Sequence, residues 1–297
     1  MMEIVFLGTS AMVPTKERNH PGIFISYKNE GILLDCGEGI QRQLKIAGIS
    51  PTKITKIFIS HWDGDHVLGL PGLLQTLGLQ KYNRTIFIYG PKGTKRFMKA
   101  ILSTFIFKEK YSIKVEEVSG KFFETEDFYL EAKSMTHGIP CNAYNFVIKD
   151  KLRIDKKKLA KTKLPSGPLV SKLKQGKNVS YKGKKYKAKN LTYVEKGKKI
   201  SVIMDTKMNK KIVPFVKDAD LLICESSFDS NFKEKAKEYL HLTVEQAGKI
   251  AKKSKSKELI LTHISQRYER DMKPLLNQAK KEFKNVSIAK DLEDFEI

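Results

Sequence analysis

Cysteine is scarce in this chain. Its three cysteines, Cys36, Cys141 and Cys224, are odd in number and far apart in 297 residues, which argues against a disulfide framework and for a reducing compartment, the cytoplasm. Long apolar runs are missing too. The least charged stretch, Val67 to Gln80, is cut by Gly69, Pro71, Gly72 and Gly78, and no run reaches the ~18 residues of a membrane span. The opening Met-Met-Glu-Ile-Val-Phe-Leu-Gly has an acidic residue where a secretory signal needs basic ones, so it reads as a first β-strand. No self-similarity at a period of roughly 20–50 residues is visible, against a solenoid. Acidic residues are outnumbered, 33 against 56 Lys and Arg, for a net charge of +23 and a pI near 9.7. Such a balance calls for a polyanionic partner, nucleic acid before the blander membrane surface or adaptation to salt.

The excess charge is concentrated. Lys149 to Lys199 holds 19 basic residues and three acidic ones (Asp150, Asp155, Glu195), so this segment carries +16 of the +23. A run of this kind is often a solvated linker. Here, however, Leu164-Pro-Ser-Gly-Pro-Leu-Val and Lys182-Gly-Lys-Lys-Tyr alternate turn signals with short apolar anchors, as a compact arm would.

On both sides of that arm the pattern is α/β. Runs rich in Val, Ile and Phe predict strands at 3–7, 23–27, 31–35, 56–60, 85–89, 111–115, 128–133, 144–148, 200–204, 221–224 and 259–261. Helical periodicity falls at 39–47, 68–79, 94–102, 243–254 and 273–283, and Thr243 with Gln246 forms a capping-box signature. Strands with interspersed helices in two halves of comparable length predict two face-to-face sheets with helices outside. The expected organisation is one domain over 1–297 with a basic insertion at 150–192.

Chemistry concentrates after the fourth predicted strand. Ile57-Phe-Ile-Ser leads into His61-Trp-Asp63-Gly-Asp65-His66, four metal-ligand types within six residues. Gly64 is expected to permit a tight turn that lets them converge. His137, Asp205 and His263 each follow a predicted strand. Each alone is an ordinary cap or turn residue, but four strand ends placing His or Asp on one rim make the geometry of a dinuclear site.

These motifs resemble the metallo-β-lactamase superfamily and, within it, ribonuclease Z, the tRNA 3′-processing endonucleases. The superfamily loop is His-x-His-x-Asp-His, and this chain reads His61-Trp-Asp63-Gly-Asp65-His66, with Asp63 where a histidine is expected. His137, Asp205 and His263 follow in the superfamily order. Pro14-Thr-Lys16-Glu-Arg18-Asn19, Asp35-Cys-Gly-Glu38-Gly-Ile-Gln41, Gly167-Pro168 inside the basic insertion, and His241-Leu-Thr243 match segments of ribonuclease Z. Asp205 is followed by Thr206-Lys207, a departure from the Thr-Arg expected there. The resemblance runs from Met2 to about Gln266 and implies a four-layer αββα sandwich with an inserted flexible arm.

The resemblance also implies roles. His61, Asp63 and His137 would hold one zinc, Asp65, His66 and His263 the other, and Asp205 would bridge. Asp65 would orient or deprotonate the attacking water, and His241 would be the general acid. Lys16 and Arg18 would neutralise phosphates, and Gly167 and Pro168 would belong to the tRNA-gripping arm. Glu38 and Gln41 are as easily helix-capping residues. The Asp63 carboxylate is a harder ligand than imidazole, which favours Mn²⁺ or Fe²⁺ more than an all-His site would. The partner implied is precursor tRNA, and the assembly a homodimer. Two other functions fit parts of the pattern: a hydrolase of a small ester, lactone or cyclic nucleotide, and a non-catalytic RNA-binding protein on a decayed hydrolase frame. The first leaves the basic arm and the Pro14–Asn19 match unexplained.

Overall fold

Alternating β-branched runs and amphipathic helices build two sheets of seven strands each. The computed structural model describes residues 2–106 and 111–297. The first sheet runs, in spatial order, Asp294–Glu296, Met2–Gly8, Gly22–Tyr27, Glu30–Leu34, Lys56–Phe58, Ile86–Gly90 and Ile113–Glu117. The second runs Val286–Ile288, Leu259–Thr262, Leu221–Glu225, Lys199–Ile203, Asn142–Ile148, Phe128–Ser134 and Gly120–Glu124. The predicted strands and helices outside the arm all form, with boundaries moved by at most two residues. The predicted helix at 68–79 begins at Leu70 and is preceded by the one-turn helix Gly64–Val67.

Helices cover the outer faces because their apolar stripes need a sheet to bury them. Ile40 and Leu44 from one helix and Leu70, Leu73, Leu74 and Leu77 from another share a core with Leu33, Ile57 and Ile88 of the first sheet. Val244, Ala247, Ile250 and Ala251, with Leu275 and Ala279, pack with Leu222, Cys224, Leu259 and Leu261 of the second. Thr243 accepts from the Gln246 amide while Gln246 reaches back to the Thr243 amide, so the predicted capping box is present.

The two inner faces are joined beside the His61 loop. Tyr144, fully buried, donates its hydroxyl to the Ile59 carbonyl at 2.7 Å, and its ring lies 4.9 Å from that of Phe58. The Asn142 amide donates to the Ser60 carbonyl at 2.8 Å. Both sheets run parallel in this region: Glu30–Leu34, Lys56–Phe58 and Ile86–Gly90 in one, Lys199–Ile203, Leu221–Glu225 and Leu259–Thr262 in the other. Side chains just beyond the carboxyl ends of parallel strands therefore collect on one rim, the usual place for a ligand site in such sheets.

Glu124–Tyr129 and Val147–Lys198 form a second compact unit. It contains the ribbon of Lys151–Ile154 with Thr192–Glu195, the hairpin of Val179–Tyr181 with Lys184–Tyr186, and three short helices. Leu164, Leu173, Val179, Ala188 and Leu191 form its own small core. Asp155 caps the first of its helices by accepting from the Lys158 amide at 3.0 Å. Gly167, at φ 120°, starts the helix that Pro168 enters at its first position, and both are exposed. No helix among the described residues is long and apolar enough to cross a membrane.

Candidate metal centre

Four histidines and three carboxylates from the rim converge. Asp63 Oδ2 lies 3.3 Å from both His61 Nε2 and His137 Nε2. Asp65 Oδ2 lies 3.4 Å from His66 Nε2 and 3.6 Å from His263 Nε2. Asp205 Oδ2 lies between the two groups, 3.5 Å from His61 Nε2 and 3.7 Å from His66 Nε2. Three sets satisfy ligand spacing on these atoms: His61, Asp63 and His137; Asp65, His66 and His263; and His61, His66 and Asp205.

The local backbone explains the convergence differently from the sequence expectation at Gly64. Gly64 does not adopt a left-handed conformation; it opens the Gly64–Val67 helix behind Asp63. The helical turn is what swings Asp65 and His66 inward. Left-handed backbone appears instead at Asp35 (φ 58°) and His263 (φ 57°), each directly after its strand. Conformations of this kind cost about 1 kcal/mol or more and persist where surrounding contacts hold them.

Those contacts also fix the tautomers. His66 donates from Nδ1 to Asp35 Oδ2 at 2.7 Å. His61 Nδ1 lies 2.9 Å from Ser60 Oγ, which donates to the same Asp35 oxygen at 2.7 Å. His263 Nδ1 lies 3.0 Å from Ser227 Oγ, and Ser227 donates to Glu225 Oε2 at 3.0 Å. His137 Nδ1 faces the Leu240 carbonyl at 3.4 Å. With each Nδ1 carrying its proton outward, all four rings present an Nε2 lone pair to the centre, the orientation that metal-binding histidines take from such partners. The consequence is visible as frustration. His66 Nε2 and His263 Nε2 face each other at 3.2 Å, and among the described residues His61 Nε2 and Asp205 Oδ1 are buried without a hydrogen-bond partner. Bare lone pairs and a buried carboxylate held this close need cations between them, and nitrogen and carboxylate donors suit divalent ions such as zinc.

Protonation preferences report the same field. The His137 and His61 rings, each 3.3 Å from its Oδ2, hold Asp63 well below the usual carboxylate range. Burial opposes ionisation of Asp65, but His263 and His66 outweigh it and lower its pKa. Burial disfavours the charged form of His66, yet Asp35 and Asp205 overcome this and raise its pKa. Burial keeps His61 down, reinforced by His66.

His241 stands beside the cluster rather than in it. Its Nδ1 lies 3.2 and 3.3 Å from the two oxygens of Glu225, and 3.8 Å from Asp205 Oδ2. Burial pulls its pKa down, but Glu225 and Asp205 prevail and push it up to about 9. Asp205, Glu225, His241 and His263 also meet the spacing of a ligand set. Glu225, however, is fully buried and already accepts from the Thr206 and Leu242 amides, Ser227 Oγ and His241. It has no lone pair left to offer an ion. Glu225, Ser227 and the orienting role of Asp35 are absent from the sequence expectations. The only sequence signal for Glu225 is a carboxylate ending an apolar strand, Leu-Leu-Ile-Cys-Glu.

The phosphate-binding expectations fare unequally. Lys16 is exposed on the loop after Ala11. Arg18 is buried, donating to Thr9 Oγ1 and, at 2.8 Å, to the Ala289 carbonyl. Asp291 completes this arrangement by accepting from Thr9 Oγ1 and the Asn19 amide, both at 2.6 Å. Arg18 therefore pins the loop to the C-terminal segment. Gln41 reaches Thr76 Oγ1, a contact between helices.

Two seven-stranded sheets between helices, with this His/Asp cluster at their rim, define a metallo-β-lactamase-fold protein. A metallo-β-lactamase-fold protein from Bacillus subtilis, YhfI, matches with a TM-score of 0.72 over 99% of this chain and 98% of that one, at 18% identity. Human tRNase Z, short form, matches with a TM-score of 0.72 over 99% of this chain and 99% of that one, at 26% identity. The family model described as anti-Pycsar protein Apyc1 matches residues 2–154, so that part of the chain belongs with its members. Ribonuclease Z of Nanoarchaeum equitans (strain Kin4-M) is 40% identical over 266 residues, 90% of this chain and 84% of the relative. The chain belongs to the ribonuclease Z family.

Proposed function

We propose that the chain is a metal-dependent endoribonuclease that removes the 3′ trailer of precursor tRNA and leaves a 3′-hydroxyl on the tRNA. The observation that carries this reading is the pair of two-histidine, one-carboxylate groups sharing Asp205, with the Glu225–His241 pair at their edge. His61, Asp63 and His137 would hold one zinc ion and Asp65, His66 and His263 the other, with Asp205 serving both. Two such ions would supply an acidified water and neutralisation of charge on the phosphorane. Asp65, oriented by a 3.0 Å hydrogen bond from the Met12 amide, positions the attacking water and takes its proton. As the P–O3′ bond breaks, His241 gives its Nε2 proton to the departing O3′, and Glu225 steadies the ring through Nδ1. The trailer leaves with a 5′-phosphate.

The second unit fits the tRNA body. Lys163, Lys172, Lys174, Lys177 and Lys182 are all exposed on it, and phosphate contacts by such lysines supply affinity without chemistry. A homodimer in the cytoplasm, one subunit's arm holding tRNA at the other's site, completes the reading; sedimentation of the purified chain tests the dimer. The function itself is tested by incubating the chain with a 3′-extended tRNA precursor and mapping the cut and its end groups. A cut after the last nucleotide of the tRNA body, with 3′-hydroxyl and 5′-phosphate ends, is expected. Intact precursor beside turnover of a small ester or cyclic nucleotide would overturn it.

A further inference from the structure

A cavity of about 310 Å³ opens beside His241. Met12, Phe228, Lys235, Tyr239, His241 and Arg267 are among its lining residues. The Phe228 and Tyr239 rings lie nearly parallel, 13° apart with centroids at 6.4 Å, and Phe228 lies 6.0 Å from the His241 ring. Arg267 sets its guanidinium 5.0 Å over Phe228. Tyr239 keeps 57% of its surface exposed despite this packing. No Asp or Glu lines the cavity among the described residues. Rings, two cations and no carboxylate make a combination that suits a flat, polarisable group attached to an anion, which is a nucleotide.

The cavity is tied to the reacting centre at two points. Met12, at φ 56°, donates its amide to Asp65 Oδ2 and accepts from His20 Nε2 through its carbonyl, both at 3.0 Å. Ser227, also lining it, contacts His263 Nδ1 at 3.0 Å. A group seated here is therefore held against His241 and not at a remote surface.

We infer that this cavity is the subsite for the base of the nucleotide whose O3′ departs, the last nucleotide of the tRNA body, with Tyr239 as its stacking platform and Lys235 and Arg267 facing its phosphates. The inference rests on the proposed function, because the direction of the strand follows from His241 protonating O3′. The nucleotide nearest His241 must then be the one that keeps the 3′-hydroxyl.

The test is a binding cycle on mature tRNA ending in a 3′-hydroxyl, made with and without the base of its last nucleotide. It uses the full metal-loaded chain and its Tyr239→Ala and Tyr239→Phe variants. Loss of the base should weaken binding to the original chain by about 5- to 150-fold, the range of one base–aromatic stack. In Tyr239→Ala the intact tRNA should bind about as weakly as the base-less one does to the original chain, and removing the base should change little more. Tyr239→Phe should restore the original difference. Losses that simply multiply would overturn the subsite while leaving cleavage of the 3′-extended precursor untouched. A chain that binds neither tRNA would overturn the subsite and the tRNA reading together.

Discussion

Asp35 Oδ2 gathers two protons, one from His66 Nδ1 and one from Ser60 Oγ, each at 2.7 Å. Because Ser60 in turn lies against His61 Nδ1, a single buried carboxylate sets the tautomer of one histidine in each three-residue group. Ser227 and Glu225 repeat the device for His263 from the other sheet. The orienting groups thus come in pairs, a hydroxyl and a carboxylate at the end of each parallel strand set.

Asp35→Asn should therefore weaken metal binding without removing any ligand. The amide can still accept from one partner but lacks the negative charge that orients and polarises the ring, and loss of such an orienting partner typically costs about 10- to 100-fold in metal affinity. Competition with a chromophoric chelator measures it. Unchanged affinity in a folded variant would show that the His66 tautomer is held by something else.

Arg18 separates a structural from a substrate-binding role. Arg18→Ala removes the guanidinium facing Thr9 and Ala289 and takes away one of the groups that offset the charge of the part-buried Asp291. Burial already raises the Asp291 pKa, and Arg18 is among the groups that pull it back. The expected result is a loss of stability of about 2–4 kcal/mol, read by denaturant unfolding. A stable variant with only a raised KM would return Arg18 to phosphate binding.

Arg18 also marks where sequence reasoning stops. Strands such as Ile57–Phe58 or Leu221–Cys224 were legible because β-branched and aromatic runs state their own period, and the Thr243–Gln246 cap is purely local. The ligand types of the cluster were legible because four sit within six residues. Arg18 sits in a polar loop, and its burial depends on Ala289 and Asp291, more than 270 residues away in sequence. Glu225 is likewise one carboxylate at a strand end until Ser227, Leu242 and His241 close around it. The edge strands Val286–Ile288 and Asp294–Glu296 are three residues each, too short to show an alternation.

Asp65→Ala should abolish cleavage of precursor tRNA while leaving its binding largely intact. Asp65 faces the centre through a single oxygen shared by the Met12 amide, His66 and His263, whereas the basic surface lies in the second unit. Filter binding and single-turnover cleavage on the same preparation separate the two. Equal loss of both would point to a misfolded site.

Asp63 makes a prediction about metal choice. With Asp63 present, the two groups have the same composition, two imidazoles and a carboxylate each, around the shared Asp205. Three carboxylates also leave less positive charge on a pair of dications than two would. Asp63→His should shift preference away from Mn²⁺ and towards Zn²⁺, since imidazole is the softer donor. A change of roughly tenfold in the Mn²⁺-to-Zn²⁺ affinity ratio is the scale expected of one altered contact. Equilibrium dialysis against mixed metals, followed by elemental analysis, reads the ratio directly. An unchanged ratio would show that Asp63, half-exposed as it is, does not set metal identity.

The charge on the second unit should appear as a salt slope. Each lysine–phosphate contact releases condensed counterions, so log affinity falls against log salt by about 0.7 to 0.9 per contact. Replacing Lys163, Lys172, Lys174, Lys177 and Lys182 with glutamine removes charge from exposed positions outside the unit's small core, so folding should survive. If all five touch phosphate, the slope for tRNA should flatten by roughly 4 and KM should rise. Hydrolysis of bis(p-nitrophenyl) phosphate should not change, because His61, Asp63, Asp65, His66, His137, Asp205, His241 and His263 all lie outside this unit. A slope that stays put would mean that these lysines solvate the arm without gripping RNA, and the tRNA contacts would then have to be sought in the exposed Lys16 loop and around the His241 cavity.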